Sequence, residues 1–271
     1  MIIEKQISIK VCQQMSASYT ALIESYRKGG IESQIDAQHY NDILFTYHST
    51  AIEGNTLTLA ETTLLVEKGI TALGKPLKDH LEVKDHMNAL SFVRQEATNK
   101  RPITVDLVKE INKLVMQNTL ADKSETPGEF RRQNVTAGKF IAPDASRFPL
   151  LTVQFCEYTD RQLSVVDTPA KIMSLAAEAQ FNLVSIHSFR DGNGRTSRPL
   201  MNHVLFYFDL PLLPIAQQHA SEYIEALNQS RAKQDIGIFT KFVVQQTINF
   251  LQDEIKKSQN IRKGKNLYLT F

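Results

Sequence analysis

The twelve residues His187-Ser-Phe-Arg-Asp-Gly-Asn-Gly-Arg-Thr-Ser-Arg198 constrain this chain more than any other stretch. Before them, Ile172, Ala176, Ala179, Leu183 and Ile186 fall at helical spacing, and after them runs the apolar stretch Leu200 to Phe208. That pattern predicts helix, tight loop, helix, with the loop held rigidly between two core elements. Gly192 and Gly194 let the backbone turn sharply and aim its N–H groups into a concavity. A helix starting there adds unpaired N–H donors and the positive end of its dipole. Arg195 and Arg198, three apart, can flank one anion. The stretch therefore reads as a phosphate cradle. Asp191 is a hard oxygen ligand beside it, suited to Mg²⁺ bridging phosphates. His187, at the end of the preceding helix, is placed to take a proton. The plain alternative is a glycine-rich turn between helices that carries surface charge.

A chain of 271 residues suits one large domain or two small ones. Hydrophobic residues at 42% and charged ones at 22% describe a globular chain, and a net charge of +2 creates no global field that would draw nucleic acid. Cys12 and Cys156 form no metal or redox spacing and fit a reducing compartment. The opening MIIEKQISIK has no long apolar run and no cleavage signal. The most apolar stretch, Leu200 to Ala216, is broken by Asn202, His203, Asp209 and two prolines, which suits a core and not a membrane span. These features lead to the expectation of a cytoplasmic protein without membrane or nucleic-acid partners. His80 and His86 are six apart and no HExxH occurs, so a zinc site is not expected.

Helical periodicity covers 4–28 and 33–52, parted by Gly29-Gly30, and Met15, Tyr19, Leu22 and Ile23 read as packing residues. The second helix ends in Ser49-Thr-Ala-Ile-Glu53-Gly54-Asn55. Ser49 and Glu53 share a face, and Gly54 is a natural stop. A carboxylate there faces the wrong end of the dipole, so Glu53 is either solvated or held by a cation. Thr58 and Glu61 form a capping box that opens a short helix to about Glu67. Further helices are predicted over 77–97, 104–118, 149–163, 169–187 and 236–257, with Asp167 or Thr168 capping the one that Pro169 begins and Glu222 to Leu227 in another. Val135 to Ile141, around Gly138, suits a small β-hairpin. Its bare edge is either a docking strand for an extended segment or a plain surface excursion. The basic tail, from Lys256-Lys257 to Arg262, Lys263 and Lys265, complements the last helix's dipole and then frays.

His-x-Phe-x-Asp-Gly-Asn-Gly-Arg-x-x-Arg is similar to the signature of Fic-domain proteins, with Ser188 where members usually carry Pro. Ser49, Glu53 and Gly54 resemble that family's inhibitory-helix motif, placed N-terminal to the core in the same chain, and Glu82-Val-Lys-Asp-His resembles a stretch common in that class. The resemblance runs from about Ile43 to Val244. It implies a mainly α fold: inhibitory helix within 1–56, a single helical Fic domain over 57–258 with a small β-hairpin flap, and a tail over 259–271. It also implies a protein adenylyltransferase, moving AMP from ATP to a Ser, Thr or Tyr hydroxyl. His187 would then be the base and Asp191 the Mg²⁺ ligand. Gly192, Asn193, Gly194 and Arg195 would bind phosphate oxygens, and Arg198 the γ-phosphate once Glu53 releases it. Phe189 would anchor the loop. The flap residues Val135, Thr136, Ala137 and Gly138 would dock a target protein, or this chain itself for self-modification. Tyr223 would lie near the adenine. Ile224 and Arg231 depart from the family's second tyrosine and its asparagine, which leaves base selectivity open. Class relatives are often dimeric. Removal of AMP, transfer of another nucleotide, and a nucleotide-sensing module that catalyses nothing are the competing readings.

Overall fold

The computed structural model describes residues 9–30, 35–120, 125–138 and 140–262. Its helices are α1 (Ile9–Lys28), α2 (Ile35–Ala51), α3 (Leu59–Lys68), α4 (Leu77–Thr98), α5 (Val105–Val115), α6 (Phe148–Leu163), α7 (Pro169–Ile186), α8 (Asn193–Tyr207), α9 (Ala220–Lys233) and α10 (Ile236–Arg262). Between α5 and α6 the strands β1 (Thr136–Ala137) and β2 (Phe140–Ile141) pair antiparallel, Thr136 opposite Ile141 and Ala137 opposite Phe140. The fold is mainly helical.

Local chemistry accounts for several boundaries. In α3 the Glu61 N–H donates to the Thr58 hydroxyl at 3.2 Å while the Glu61 carboxylate accepts the Thr58 N–H at 2.8 Å, so the capping box is complete. Thr168 caps α7, and Pro169 takes its first position, where a missing N–H costs nothing. α5 stops at Val115, three residues short of the expected end, because the Asn118 N–H and side chain turn away to donate to Asp85 of α4, at 2.8 and 2.6 Å. α10 runs five residues past its expected end, to Arg262, and the basic residues from Lys263 onward lie outside the described ones. So do residues 4–8 of the first predicted helix and the side chain of Met15; Tyr19 and Ile23 are buried and Leu22 packs against the core.

α7 is buried on nearly every side, and the polar Ser174, Glu178, Gln180 and Asn182 are buried with its apolar residues. Ala176, Ala177 and Ala179 on it are small enough for neighbours to approach closely. It packs against α1, α6 and α10 on one side and α8 on the other, and α8 in turn packs against α4 and α5. The loop joining the two most buried helices is therefore fixed from both ends. α2 lies across α4 and α8, which brings its C-terminal turn to the start of α8. No described helix is long and apolar enough to cross a membrane.

Candidate active site

α7 ends at Ile186, and His187 then adopts the left-handed conformation, φ +55°, uncommon for a residue with a side chain. Its N–H still donates to the Leu183 carbonyl at 3.1 Å, and Nδ1 lies 3.3 Å from the Val184 carbonyl. That partner assigns the proton to Nδ1 and leaves Nε2 as the acceptor. The ring borders a cavity of about 490 Å³ lined with Asn134, Val135, Thr136, Arg190 and Asp191. Burial holds the imidazole below its ordinary pKa. The Val184 bond and Glu53 oppose that, and the Arg131 and Arg231 cations add to it. The neutral, proton-accepting form is favoured.

The loop closes on itself. The Phe189 N–H donates to Asn193 Oδ1 at 3.0 Å, and Asn193 Nδ2 returns a bond to the Phe189 carbonyl at 2.9 Å. The Asn193 side chain is thus spent on the loop, leaving its backbone N–H at the helix start. Asn112 of α5 donates to the Asp191 carbonyl at 3.1 Å and to the Thr196 hydroxyl at 3.0 Å, and accepts the Gly128 N–H at 3.0 Å. Gly192 is left-handed at φ +75°, and a Cβ there would lie 2.5 Å from Met116 Sδ, so both backbone and space demand glycine. Phe189 is buried against Phe130, 5.7 Å between ring centroids, as an anchor should be. Ser188 is buried too: its hydroxyl pairs with that of Thr152 at 2.8 Å, and its carbonyl accepts the Arg131 N–H at 3.1 Å. Arg131 reaches further, donating through Nε to the His187 carbonyl at 2.8 Å and through its other nitrogens to the carbonyls of Gln133 and Pro143. It ties the foot of the hairpin to the histidine. Of the hairpin residues expected to dock a target, Val135 and Thr136 line the cavity at His187, Ala137 pairs opposite Phe140, and Gly138 makes the turn at φ +59°.

Arg198 is only 1% exposed. Its Nε donates to the Ser49 hydroxyl and its Nη2 to both the Ser49 carbonyl and Glu53 Oε1, each at 2.8 Å. The Glu53 side chain remains 36% exposed, in the turn that follows α2 and closes with Gly54 at φ +97°. Gly194 makes this contact feasible, since a Cβ on it would stand 2.3 Å from Glu53 Oε1. Arg195, also buried, donates through Nη1 to Glu82 Oε1 at 2.9 Å and lies 3.4 Å from Asp191 Oδ1 through Nη2. Glu82 Oε2 accepts from Asn55 Nδ2 at 3.0 Å, so the segment just after Glu53 also reaches Arg195 through Glu82. Each arginine keeps one buried donor without a partner, Arg195 Nε and Arg198 Nη1. A buried donor left so costs about 1–3 kcal/mol, which an anionic oxygen would relieve. The residues present fit an oxyanion.

Asp191 is 47% exposed, and its Oδ1 accepts the Gly192 N–H at 2.6 Å. No group of three or more His, Cys, Asp or Glu side chains that could hold a metal occurs among the described residues. A lone carboxylate fits an ion such as Mg²⁺, which takes most of its ligands from water and phosphate. Tyr223, expected near the adenine, lies behind the arginine. It is 1% exposed, packs beside Phe239 and Phe242, accepts from Gln180 Nε2 at 2.9 Å, and offers no open face. It backs Arg198, whose guanidinium lies 5.9 Å from its ring, while the neighbouring Ile224 faces outward.

Glu82 belongs to the stretch singled out above by resemblance; Arg131 and Asn112 are the site residues that sequence reasoning missed. Their only signal was polar character within otherwise helical or looped stretches. The signature loop and the Ser49 to Glu53 segment, by contrast, meet in space through Arg198.

Residues 102–205 match the model of the Fic/DOC family. The chain is similar to the protein adenylyltransferase Fic of Drosophila melanogaster, 35% identical over 197 residues, which are 73% of this chain and 39% of that protein. It is likewise 35% identical over 198 residues to the protein of that name from Aedes aegypti, covering 73% and 38%. The chain thus spans about two fifths of the length of these curated relatives. A Fic domain containing signaling protein from Bacteroides thetaiotaomicron superposes with a TM-score of 0.75 at 25% identity, over 92% of this chain and 97% of that one. Fic-1 from C. elegans shares the fold, with a TM-score of 0.80 at 24% identity over 93% and 74%. A helical scaffold of that fold, carrying the complete signature on a self-closed loop, makes this chain a Fic-domain protein of the Fic/DOC family.

Proposed function

We propose that this chain is a protein adenylyltransferase that Glu53 holds inactive. The observation that carries the reading is Arg198, fully buried, taken by Ser49 and Glu53, with donors on both signature arginines still unused. The curated relatives' name points the same way. ATP would lay its phosphates on the N-terminus of α8, over the backbone of Gly192 to Gly194. Arg195 and the spare Nη1 of Arg198 would take phosphate oxygens, with Arg198 gaining the γ-phosphate as Glu53 leaves. His187 Nε2 removes the proton from a Ser, Thr or Tyr hydroxyl. The hydroxyl oxygen bonds to the α-phosphorus as the bond to the β-phosphate oxygen breaks, and pyrophosphate departs. Asp191 would hold Mg²⁺, whose contribution when bound is to neutralise charge on the phosphates. The hairpin would pair with the target segment that carries the hydroxyl. A buried free thiol at Cys156 fits a reducing compartment, and we read the location as cytoplasmic.

One observation favours a second activity on the same residues. Glu53 lies close enough to His187 to raise its proton affinity, and a carboxylate so placed could orient water for removal of AMP. Both are tested by incubation with ATP labelled at the α-phosphate. Slow self-modification is expected from the wild type, a marked rise from Glu53→Gly, and none from Glu53→Gly combined with His187→Ala. Label incorporated at the wild-type rate by the double variant would remove His187 from the mechanism. Release of AMP from a modified protein by the wild type but not by Glu53→Gly would establish the second activity.

A further inference from the structure

We propose that Arg231 is a positioning residue for this reaction, clamping the hairpin against His187 through the ring of Phe140. Arg231 sits in the last turn of α9, and its Nε donates to the Ser185 hydroxyl of α7 at 3.0 Å, two residues before the histidine. Its guanidinium lies 4.0 Å from the centroid of the Phe140 ring on β2. That ring presents its edge to the His187 imidazole, 6.5 Å between centroids at 61°. α7, α9 and β2 therefore meet at one aromatic side chain, with the histidine on its other side.

Arg231 has no carboxylate partner among the described residues; beyond Ser185 it reaches only Asn228 Oδ1, at 3.4 Å. Burial pulls its pKa down to about 10, which still leaves it charged at neutral pH. A partly buried cation given no anion gains from the π face beside it. The hairpin needs such a staple. Two residues per strand cannot hold a β-ribbon by themselves. Arg131 fixes its foot; beyond the foot, Phe140 of β2 carries the ring contacts to Arg231 of α9 and to His187. Releasing Phe140 would loosen the wall of the cavity at Val135 and Thr136 and free the histidine ring on one side.

The inference rests on the transferase reading for its catalytic consequence, not for the clamp itself. In a Glu53→Gly background, Arg231→Gln and Phe140→Leu should each lower the self-modification rate at saturating ATP by about 2- to 30-fold, the span of a partly desolvated cation–π contact. The KM for ATP should stay unchanged, Phe140→Tyr should retain the rate, and the double variant should be no slower than the slower single one, as expected for coupled partners. Hydrogen exchange at the amides of residues 136–141 should quicken in both single variants. Unchanged exchange would overturn the clamp, as would multiplying rate effects, or an ATP KM raised by Arg231→Gln alone, which would make Arg231 a nucleotide contact. Should no variant transfer AMP at all, the transferase reading fails while the exchange measurement still decides the clamp.

Discussion

At the scale of single residues, the site turns on what a glycine leaves empty. Glu53 reaches Arg198 only because position 194 has no side chain; a methyl there would stand 2.3 Å from Glu53 Oε1 and 3.0 Å from Arg198 Nη1. The nearer atom is the tip of a flexible side chain at the surface, so the carboxylate yields first. Gly194→Ala should therefore raise self-modification above wild type, though less than Glu53→Gly does, because the new methyl also crowds the cradle. A rate at or below wild type, measured with labelled ATP, would show that Glu53 adapts without leaving. His187 makes a second prediction. Its pKa lies below the ordinary 6.5, so the base-competent form persists as the pH falls through 6.5 and is lost only lower. In the Glu53→Gly background, which also lacks the carboxylate that raises this pKa, the acid limb of the pH–rate profile should have its midpoint below 6.5. A midpoint above 6.5 would mean that another group sets it. The residues legible from sequence are those whose chemistry is local. The His187 to Arg198 loop shows its glycines and cations at fixed spacing. Arg131 and Asn112 read as surface polar residues, because their partners stand 56 and 79 positions away. Tyr223 was legible as a neighbour of the site but not as a buried one, since an aromatic with a hydroxyl suits either place.

At the scale of elements, start and stop signals carried most of the secondary structure: the Thr58 box, Thr168 before Pro169, and the glycines after α1 and α2. Ends set by tertiary contacts, such as that of α5 at Asp85, left no local mark. α7 holds a feature of its own. Glu178 lies in the middle of this buried helix, 4% exposed, with only the Tyr158 hydroxyl near it, at 3.4 Å. Burial pushes its pKa up to about 7. The folded state then binds a proton that the unfolded state, near 4.5, has released. Stability is accordingly greatest on the acid side of this window and falls as the pH rises from about 4.5 through 7. Glu178→Gln removes the titrating group and keeps its shape. It should flatten this slope and leave the protein more stable than wild type at pH 8 by roughly 2–3 kcal/mol, the worth of a shift of that size. Denaturant unfolding at pH 5 and pH 8 reads it, and a variant that loses stability equally at both would show that the carboxylate is better satisfied than its one long bond suggests.

At the scale of the whole molecule, the proposed inhibition and the packing of α2 share one contact. Glu53 and Ser49 join α2 to α8, the helix at the centre of the packing, so the same ion pair that closes the cradle also docks the N-terminal helices. Removing Glu53 leaves Arg198 with Ser49 and the Tyr223 side chain, and no anion among the described residues. For a pair with one partner half in water, the loss should be about 1–3 kcal/mol, less than for a fully buried pair. ATP brings a replacement anion to the same guanidinium. In Glu53→Gly it binds without first evicting a carboxylate, and at a hundred times its Kd it adds about 2.7 kcal/mol. For a chain of this size each kcal/mol moves Tm by roughly 2–4 °C. The variant should therefore melt below wild type without nucleotide and recover most or all of the difference with ATP and Mg²⁺, while wild type gains little at the same concentration. This measurement needs no chemistry and no target protein. Equal ATP-induced shifts in the two proteins would mean that Glu53 and the γ-phosphate do not compete for Arg198, and the autoinhibitory reading would fall with the competition.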